Sequence, residues 1–176
     1  VWDDYRHGHQ DIYSRTFDLN GNPVSDLFKV NTDTTYTEQS YPAVFVESRG
    51  FFVYSWIDYR EGYPNVYTQQ YWSYDGPNGN NIMINQDGYS SNQEEPAVAM
   101  NNHGISCTCW QDERHLYADI FVQFRDKNGD PIGNNLRVNT TSGSRYQTSS
   151  DCDINDRGES VVVWRYDDRQ GFMEIR

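Results

Sequence analysis

Trp2-Asp3-Asp4-Tyr5-Arg6, Trp56-Ile57-Asp58-Tyr59-Arg60 and Trp110-Gln111-Asp112-Glu113-Arg114 are three versions of one phrase, and their tryptophans stand 54 residues apart. Outward from each phrase the match continues without a gap. Asp11-Ile12-Tyr13 returns as Asn65-Val66-Tyr67 and as Asp119-Ile120-Phe121. Pro23, Pro77 and Pro131 stay in phase, as do Asn31, Asn85 and Asn139, then Gln39, Gln93 and Gln147, then Gly50, Gly104 and Gly158. A fourth copy opens at Trp164-Arg165-Tyr166-Asp167-Asp168-Arg169 with one residue inserted. A fixed period of this length is the mark of a repeat architecture, in which each unit hides its apolar faces against its neighbours.

Within one unit the patterning is that of strands. Stretches 11–17, 27–31, 42–47 and 51–57 of the first copy alternate apolar and polar residues and are rich in β-branched and aromatic side chains. The last is apolar on both faces, with Phe51 and Val53 on one and Phe52, Tyr54 and Trp56 on the other, so it belongs to a sheet covered on both sides. Asp18-Leu19-Asn20-Gly21-Asn22-Pro23, echoed by Asp126-Lys127-Asn128-Gly129-Asp130-Pro131, supplies an Asn-Gly hairpin turn. Four-stranded antiparallel units in series predict an all-β chain, a β-propeller segment of about three blades, with repeats at 2–55, 56–109 and 110–163 and a partial fourth at 164–176. Because a closed propeller needs four to eight blades, the remaining ones are expected from a longer chain or from an oligomer. In this frame the chain opens at the end of one blade's last strand and stops inside another's first. The rival is a β-trefoil, which also uses three four-stranded repeats.

The motifs Trp-x-Asp-x-Arg, Asp-Ile-Tyr and Asp-x-Asn-Gly-Asn-Pro resemble the propeller-forming repeats of large secreted bacterial surface proteins. That resemblance implies an extracellular or cell-surface location. It implies a scaffold or adhesion module and says little about activity. The second copy departs from it where Trp72-Ser73-Tyr74-Asp75-Gly76-Pro77 replaces the Asp-x-Asn-Gly turn.

Composition narrows the partners. With 14 Lys and Arg against 26 Asp and Glu the formal charge is −12, which argues against nucleic acid or an anionic membrane surface. Aromatic residues at 15% are too many for a disordered chain, and no apolar stretch is long enough to span a bilayer as a helix. No stretch reads as a signal peptide or a lipidation motif. A protein or a glycan is the expected partner.

Residues that return in every unit read as scaffold. Asp4, Asp58 and Asp112 with Arg6, Arg60 and Arg114 are expected to clamp the strands, since a planar guanidinium bonds a carboxylate twice and stacks on an aromatic ring. Trp2, Trp56, Trp110 and Trp164 are their structural companions. The functional alternative, an arginine ring binding an acidic sugar as in sialidase-like propellers, lacks the Ser-x-Asp-x-Gly-x-Thr-Trp turn of those families. Meander geometry places segments 3–10, 57–64 and 111–118 at the same end as 32–41, 86–95 and 140–149, and that end is the candidate ligand-facing rim.

Departures from the repeat are where a specific function would hide. Tyr71, Trp72 and Tyr74 form a candidate binding platform for a sugar or a protein. His7-Gly8-His9-Gln10-Asp11 carries metal-ligand chemistry in one copy only. The Asp-x-Asn-Gly turns lack the closing Glu of a calcium loop, so no cofactor is expected, calcium being the one cation left open. Cys107, Cys109 and Cys152 read as small apolar substitutes in strands, with a bridge to Cys152 as the alternative. Nucleophile elbows, phosphate loops and zinc helices are missing, and the paired Glu94-Glu95 has no distinguishing context. The expectation is therefore a non-catalytic module, not an enzyme. A glycan-binding module is the alternative, and part of a sialidase-like or other glycoside hydrolase propeller the weaker one.

Overall fold

The computed structural model describes residues 1–73, 75–86, 91–140, 146–167 and 173–176. It contains four antiparallel sheets and, among the described residues, no helix. The first sheet is formed by β1 (Trp2–Asp4), β2 (Asp11–Ser14) and β3 (Phe28–Lys29). The second comprises β4 (Gln39–Val46), β5 (Phe51–Asp58), β6 (Asn65–Trp72) and β7 (Gly76–Met83). The third comprises β8 (Gln93–Met100), β9 (Ser106–Asp112), β10 (Asp119–Arg125) and β11 (Pro131–Arg137). In the fourth, β12 (Tyr146–Ile154) pairs with β13 (Ser160–Asp167), which pairs with β14 (Met173–Ile175).

Each sheet is a meander, and β4, β8 and β12 pack beside one another as the inner strands, with β7 and β11 outermost. This is a propeller-like arrangement. The trefoil alternative falls, because four successive sheets are laid side by side where three-fold closure would use three units. The phase of the blades also differs from the sequence reading. One sheet takes its first two strands from one copy and its last two from the next, as in the sheet running from Gln39 to Met83. The first strand, β1, matches β5 and β9 and is the second strand of its blade, not the last. Sequence similarity locates a period but not its boundary; hydrogen bonding sets the boundary.

The tryptophans show how blades stack. Trp56 is fully buried with Ile12 and Val30 of the preceding sheet, and Trp110 with Ile57, Val66 and Ile84 of the sheet before its own. Truncating a buried side chain of that size costs about 3–5 kcal/mol. On the opposite face of β5, Phe51 and Val53 pack on Val98 and Met100 of the next blade, while Cys107 and Cys109 of β9 pack on Ile154 and Cys152. Strands apolar on both faces thus belong to blades covered on both faces. Where β4 turns into β5, and at the two equivalent turns, Gly50, Gly104 and Gly158 have φ between +80° and +88°, which glycine adopts without steric cost. A Cβ on Gly104 would also lie 2.7 Å from that of Lys127.

The repeated polar residues knit the strands together. Trp110 Nε1 donates to Asp112 Oδ2 at 2.9 Å, Arg114 donates to both carboxylate oxygens, and its guanidinium lies 4.1 Å over the Phe121 ring. Trp56, Asp58, Arg60 and Tyr67 repeat the arrangement, as do Trp2, Asp4, Arg6 and Tyr13 nearer the surface. In the fourth copy Tyr166 stands at the Asp position, and Trp164 Nε1 donates to Gln147 Oε1 at 2.8 Å instead. Asn31 accepts from the Ile12 amide and donates to Asp11 and Gln39, joining two strands of one blade to the first of the next. Asn85 makes the same set with Val66, Asn65 and Gln93.

Candidate functional site

Antiparallel order puts the β1–β2, β5–β6 and β9–β10 loops at the same end as the β3–β4, β7–β8 and β11–β12 connections. The β4–β5 and β6–β7 turns lie at the other end. At the first of these ends the inner strands share an irregularity. Each breaks register with its partner between Ser40 and Ala43, Glu94 and Ala97, or Thr148 and Asp151. At each bulge one non-glycine residue has a left-handed backbone: Tyr41 at φ 51°, Glu95 at 50° and Ser149 at 52°. Such conformations cost roughly 1–3 kcal/mol and persist where the surroundings impose them. Bulges re-aim side chains. Here the backbone is repeated but the side chains are not: Ser40-Tyr41, Glu94-Glu95 and Thr148-Ser149 occupy the same place in three blades.

At the first bulge lies an open crevice of about 450 Å³, lined by Asp3, Gln10, Glu38, Ser40, Tyr41 and Tyr59. Tyr5 donates its hydroxyl to Glu38 at 3.4 Å. The Tyr59 phenol has its pKa raised first by burial and then by the charges of Glu94 and Glu38. Glu94 is half-buried, and its pKa is raised first by burial, then by the charges of Glu113 and Glu95. Gln111 Nε2 holds its Oε2 at 2.9 Å and opposes that rise. Glu95 accepts the Ser149 amide of the next blade at 3.0 Å, and Glu113 accepts from Asn92. A carboxyl whose pKa is raised, beside other carboxylates and near the Tyr59 phenol, is equipped for general acid chemistry on a polar substrate.

The sequence singled out other residues, and they lie elsewhere. Tyr71 and Trp72 sit at the hairpin end, remote in the blade from the bulges, where they line an apolar groove with Phe28 and Phe52; Tyr74 lies outside the described residues. Asp58 and Asp112 are fully buried and bonded to their arginines, which leaves those guanidinium groups engaged within the blades. Asp11 Oδ1 is taken by Lys29 at 2.6 Å and by Asn31, and His9 Nε2 lies 3.3 Å from Asp11 Oδ2, so the Asp11 carboxylate is engaged within the fold. Asp18 spends one oxygen on the amides of Asn20 and Asn22, and Asp126 does the same for Asn128 and Asp130. Among the described residues, no group of three or more His, Cys, Asp and Glu side chains is arranged to hold a metal. Cys107, Cys109 and Cys152 meet as free thiols between the third and fourth blades, with Cys152 Sγ 3.4 Å from the Cys107 carbonyl oxygen. Contact between the Cys109 and Cys152 thiols, with burial, pushes Cys109 well above the ordinary thiol range. Among the described residues no helix is long and apolar enough to cross a membrane.

The crevice lies on the expected rim: Asp3 and Gln10 come from segment 3–10, Glu38, Ser40 and Tyr41 from 32–41, and Tyr59 from 57–64. The individual residues were not singled out, and their sequence signal is that Tyr41, Glu95 and Ser149 keep the period while changing identity.

No family model matches the chain, and no curated protein does. Solved structures do. An α-L-arabinanase from Penicillium chrysogenum, complexed with arabinobiose, superposes over 95% of this chain with a TM-score of 0.55 and 14% identity. An α-L-arabinofuranosidase from Lactobacillus brevis covers 99% with a TM-score of 0.51 and 13% identity, and an endo-arabinase from Bacteroides thetaiotaomicron covers 95% with 0.51 and 10%. The chain spans 52% of the first protein's length, 70% of the second's and 64% of the third's. At these identities the likeness is one of fold. It corrects the expectation of a non-catalytic, non-enzymatic scaffold, because the matching structures are glycoside hydrolases. Repetition argues against catalysis only where side chains repeat, and at the bulges they do not. The chain is therefore similar in fold to arabinan-cleaving propellers, and its own acidic crevice lies at one end of the blades.

Proposed function

We propose that the chain is part of a glycoside hydrolase-type propeller whose glycan is bound at the bulged end of the inner strands. The observation that carries this reading is the half-buried Glu94, its pKa raised by burial and by Glu113 and Glu95, within electrostatic reach of Tyr59, which lines the crevice together with Tyr41. Glu94 would donate a proton to the departing glycosidic oxygen. Asp3 and Glu38, which line the crevice, offer the second carboxylate that such hydrolysis uses as base or nucleophile. Gln111 fixes the orientation of Glu94, and the tyrosine rings present apolar faces to sugar C–H groups. The likeness to arabinanases makes arabinose-containing oligosaccharides the first substrates to try.

The test is release of reducing ends from arabino-oligosaccharides and of the aryl group from aryl arabinofuranosides, by the full chain and by Glu94→Gln. Hydrolysis that falls by about 10²-fold or more in the variant, with oligosaccharide still bound, is expected. Because the acid must be protonated, the rate should decline as pH rises through the raised pKa of Glu94. Binding without turnover in both proteins would make this a glycan-binding module and defeat the hydrolase reading.

A further inference from the structure

The three cysteines of the chain come from strands of two different blades, yet all of them lie at one blade interface. Cys107 and Cys109 belong to β9, in the third blade, and Cys152 to β12, in the fourth. The repeat supplies an internal control for this placement. One period earlier the same three positions are Val53, Ser55 and Val98. There Val53 and Val98 share one apolar cluster between the second and third blades, and Ser55 is fully buried. Packing of such an interface needs no sulfur. Cysteine stands at all three positions of the next interface and nowhere else in the chain.

The thiols are in contact. Cys107 and Cys109 are wholly buried, and Cys152 is half-buried. Cys152 donates its S–H to the Cys107 carbonyl oxygen at 3.4 Å, with that of Ala97 3.7 Å away, which holds its sulfur against β8 and β9. From there it meets the thiols of both Cys107 and Cys109. Those two do not suit each other. Alternate residues on one face of a strand stand about 6.5 Å apart, whereas the Cβ atoms of a disulfide lie roughly 3.5–4.5 Å apart. Cys152 is thus the one sulfur within reach of both others.

We propose that this interface is a redox modification site, where Cys152 forms a disulfide with Cys109 or Cys107 and the thiol left over moves the bridge between them. The co-reactant is a small disulfide such as oxidised glutathione. The Cys152 sulfur gives up its proton, attacks the reagent and releases one small thiol. The sulfur of Cys109 or Cys107 gives up its proton in turn, attacks the Cys152 sulfur and releases the second. Two protein S–H bonds become one S–S bond, and the reagent's S–S bond becomes two S–H bonds. The remaining thiol then attacks the same Cys152 sulfur, which shifts the bridge along β9 without further oxidant. Contact with a neighbouring thiol, and then burial, push Cys109 and Cys152 above the ordinary thiol range, so attack is slow while the interface is closed. Once made, the bridge ties β9 to β12 around a loop that contains β10 and β11, which restricts the unfolded chain.

The test is incubation of the full chain with oxidised glutathione in urea below the unfolding transition, followed by a thiol count in denaturant and an intact mass. A fall from three free thiols to one is expected, with loss of two hydrogens and a higher urea midpoint that dithiothreitol reverses. Peptide mapping leaves Cys107 and Cys109, parted by Thr108 alone, on one fragment, so variants assign the partner. Each takes the residue that the repeat itself uses one period earlier: Cys107→Val, Cys109→Ser and Cys152→Val. The first two should each lose both remaining thiols. Cys152→Val should keep its two and show no change in midpoint. Three surviving thiols in the full chain, glutathione adducts in place of an internal link, links between chains, or thiol loss in Cys152→Val would each overturn the proposal. Bridging in only one of the first two variants would overturn the exchange. None of these readouts involves a glycan, so the result is independent of the hydrolase reading.

Discussion

The Trp-Asp-Arg clamps and the inner-strand bulges are both repeated every 54 residues, yet they repeat different things. The clamps repeat side chains: Asp58 and Asp112 are fully buried, each tied to a tryptophan and an arginine. The bulges repeat backbone: three left-handed residues at one register, bearing a phenol, a carboxylate and a hydroxyl. The difference separates what holds the blade from what the blade presents. A buried charge without its partner is costly, so the sequence is held fixed there. A side chain aimed at solvent from a rigid kink is free to vary.

The comparison breaks most sharply at Asp112. Asp112→Ala strands the Trp110 N–H and the Arg114 guanidinium beneath the surface, and should cost about 3–5 kcal/mol in urea unfolding. Asp4→Ala, in the outer copy of the same clamp, should shift the midpoint far less, because water replaces the lost bonds. Equal losses would show that burial is not what fixes the clamp. A bulge should respond in the opposite sense. Ser149→Gly removes a side chain from a left-handed position and keeps the amide that Glu95 accepts, so stability should rise by about 1 kcal/mol while Glu95 stays in place. A fall in melting temperature would mean that the bulge is not strained.

The smallest effect concerns pH. Glu94 has a folded-state pKa above its unfolded value, so the native state holds the proton more tightly, and stability contributed by this group is lost as pH rises through the raised pKa. Glu94→Gln should therefore gain on wild type at neutral pH and lose that advantage below the ordinary glutamate range. Urea midpoints at the two pH values check this, and a constant difference would contradict the assigned cause.

Much of the fold was legible because tryptophan, proline and glycine mark strand packing and turns, and their spacing survives wherever a blade is cut. The phase was not legible. Nothing in Trp56 or Gln39 says which strands share a sheet, since both neighbouring copies offer the same pattern. The site was harder still. Glu94-Glu95 stands in the sequence as one acidic pair among many, and only folding brings Glu113 and Tyr59 to it and takes it partly out of water. Tyr71 and Trp72 drew notice by breaking the repeat, and what they line is an apolar groove at the end opposite the crevice.

The mismatch between the sequence unit and the hydrogen-bonded sheet has a consequence for how such a molecule can change over generations. Since the second, third and fourth sheets are each assembled across a copy boundary, a duplication or loss of one period restores all pairings whether the break falls in a loop, a turn or a strand. The number of blades can then drift by whole units without an intermediate that fails to fold. A gene of this kind can gain or lose blades by recombination alone, leaving point mutation to act on the few kinked positions, Tyr41, Glu95 and Ser149, where the side chains already differ.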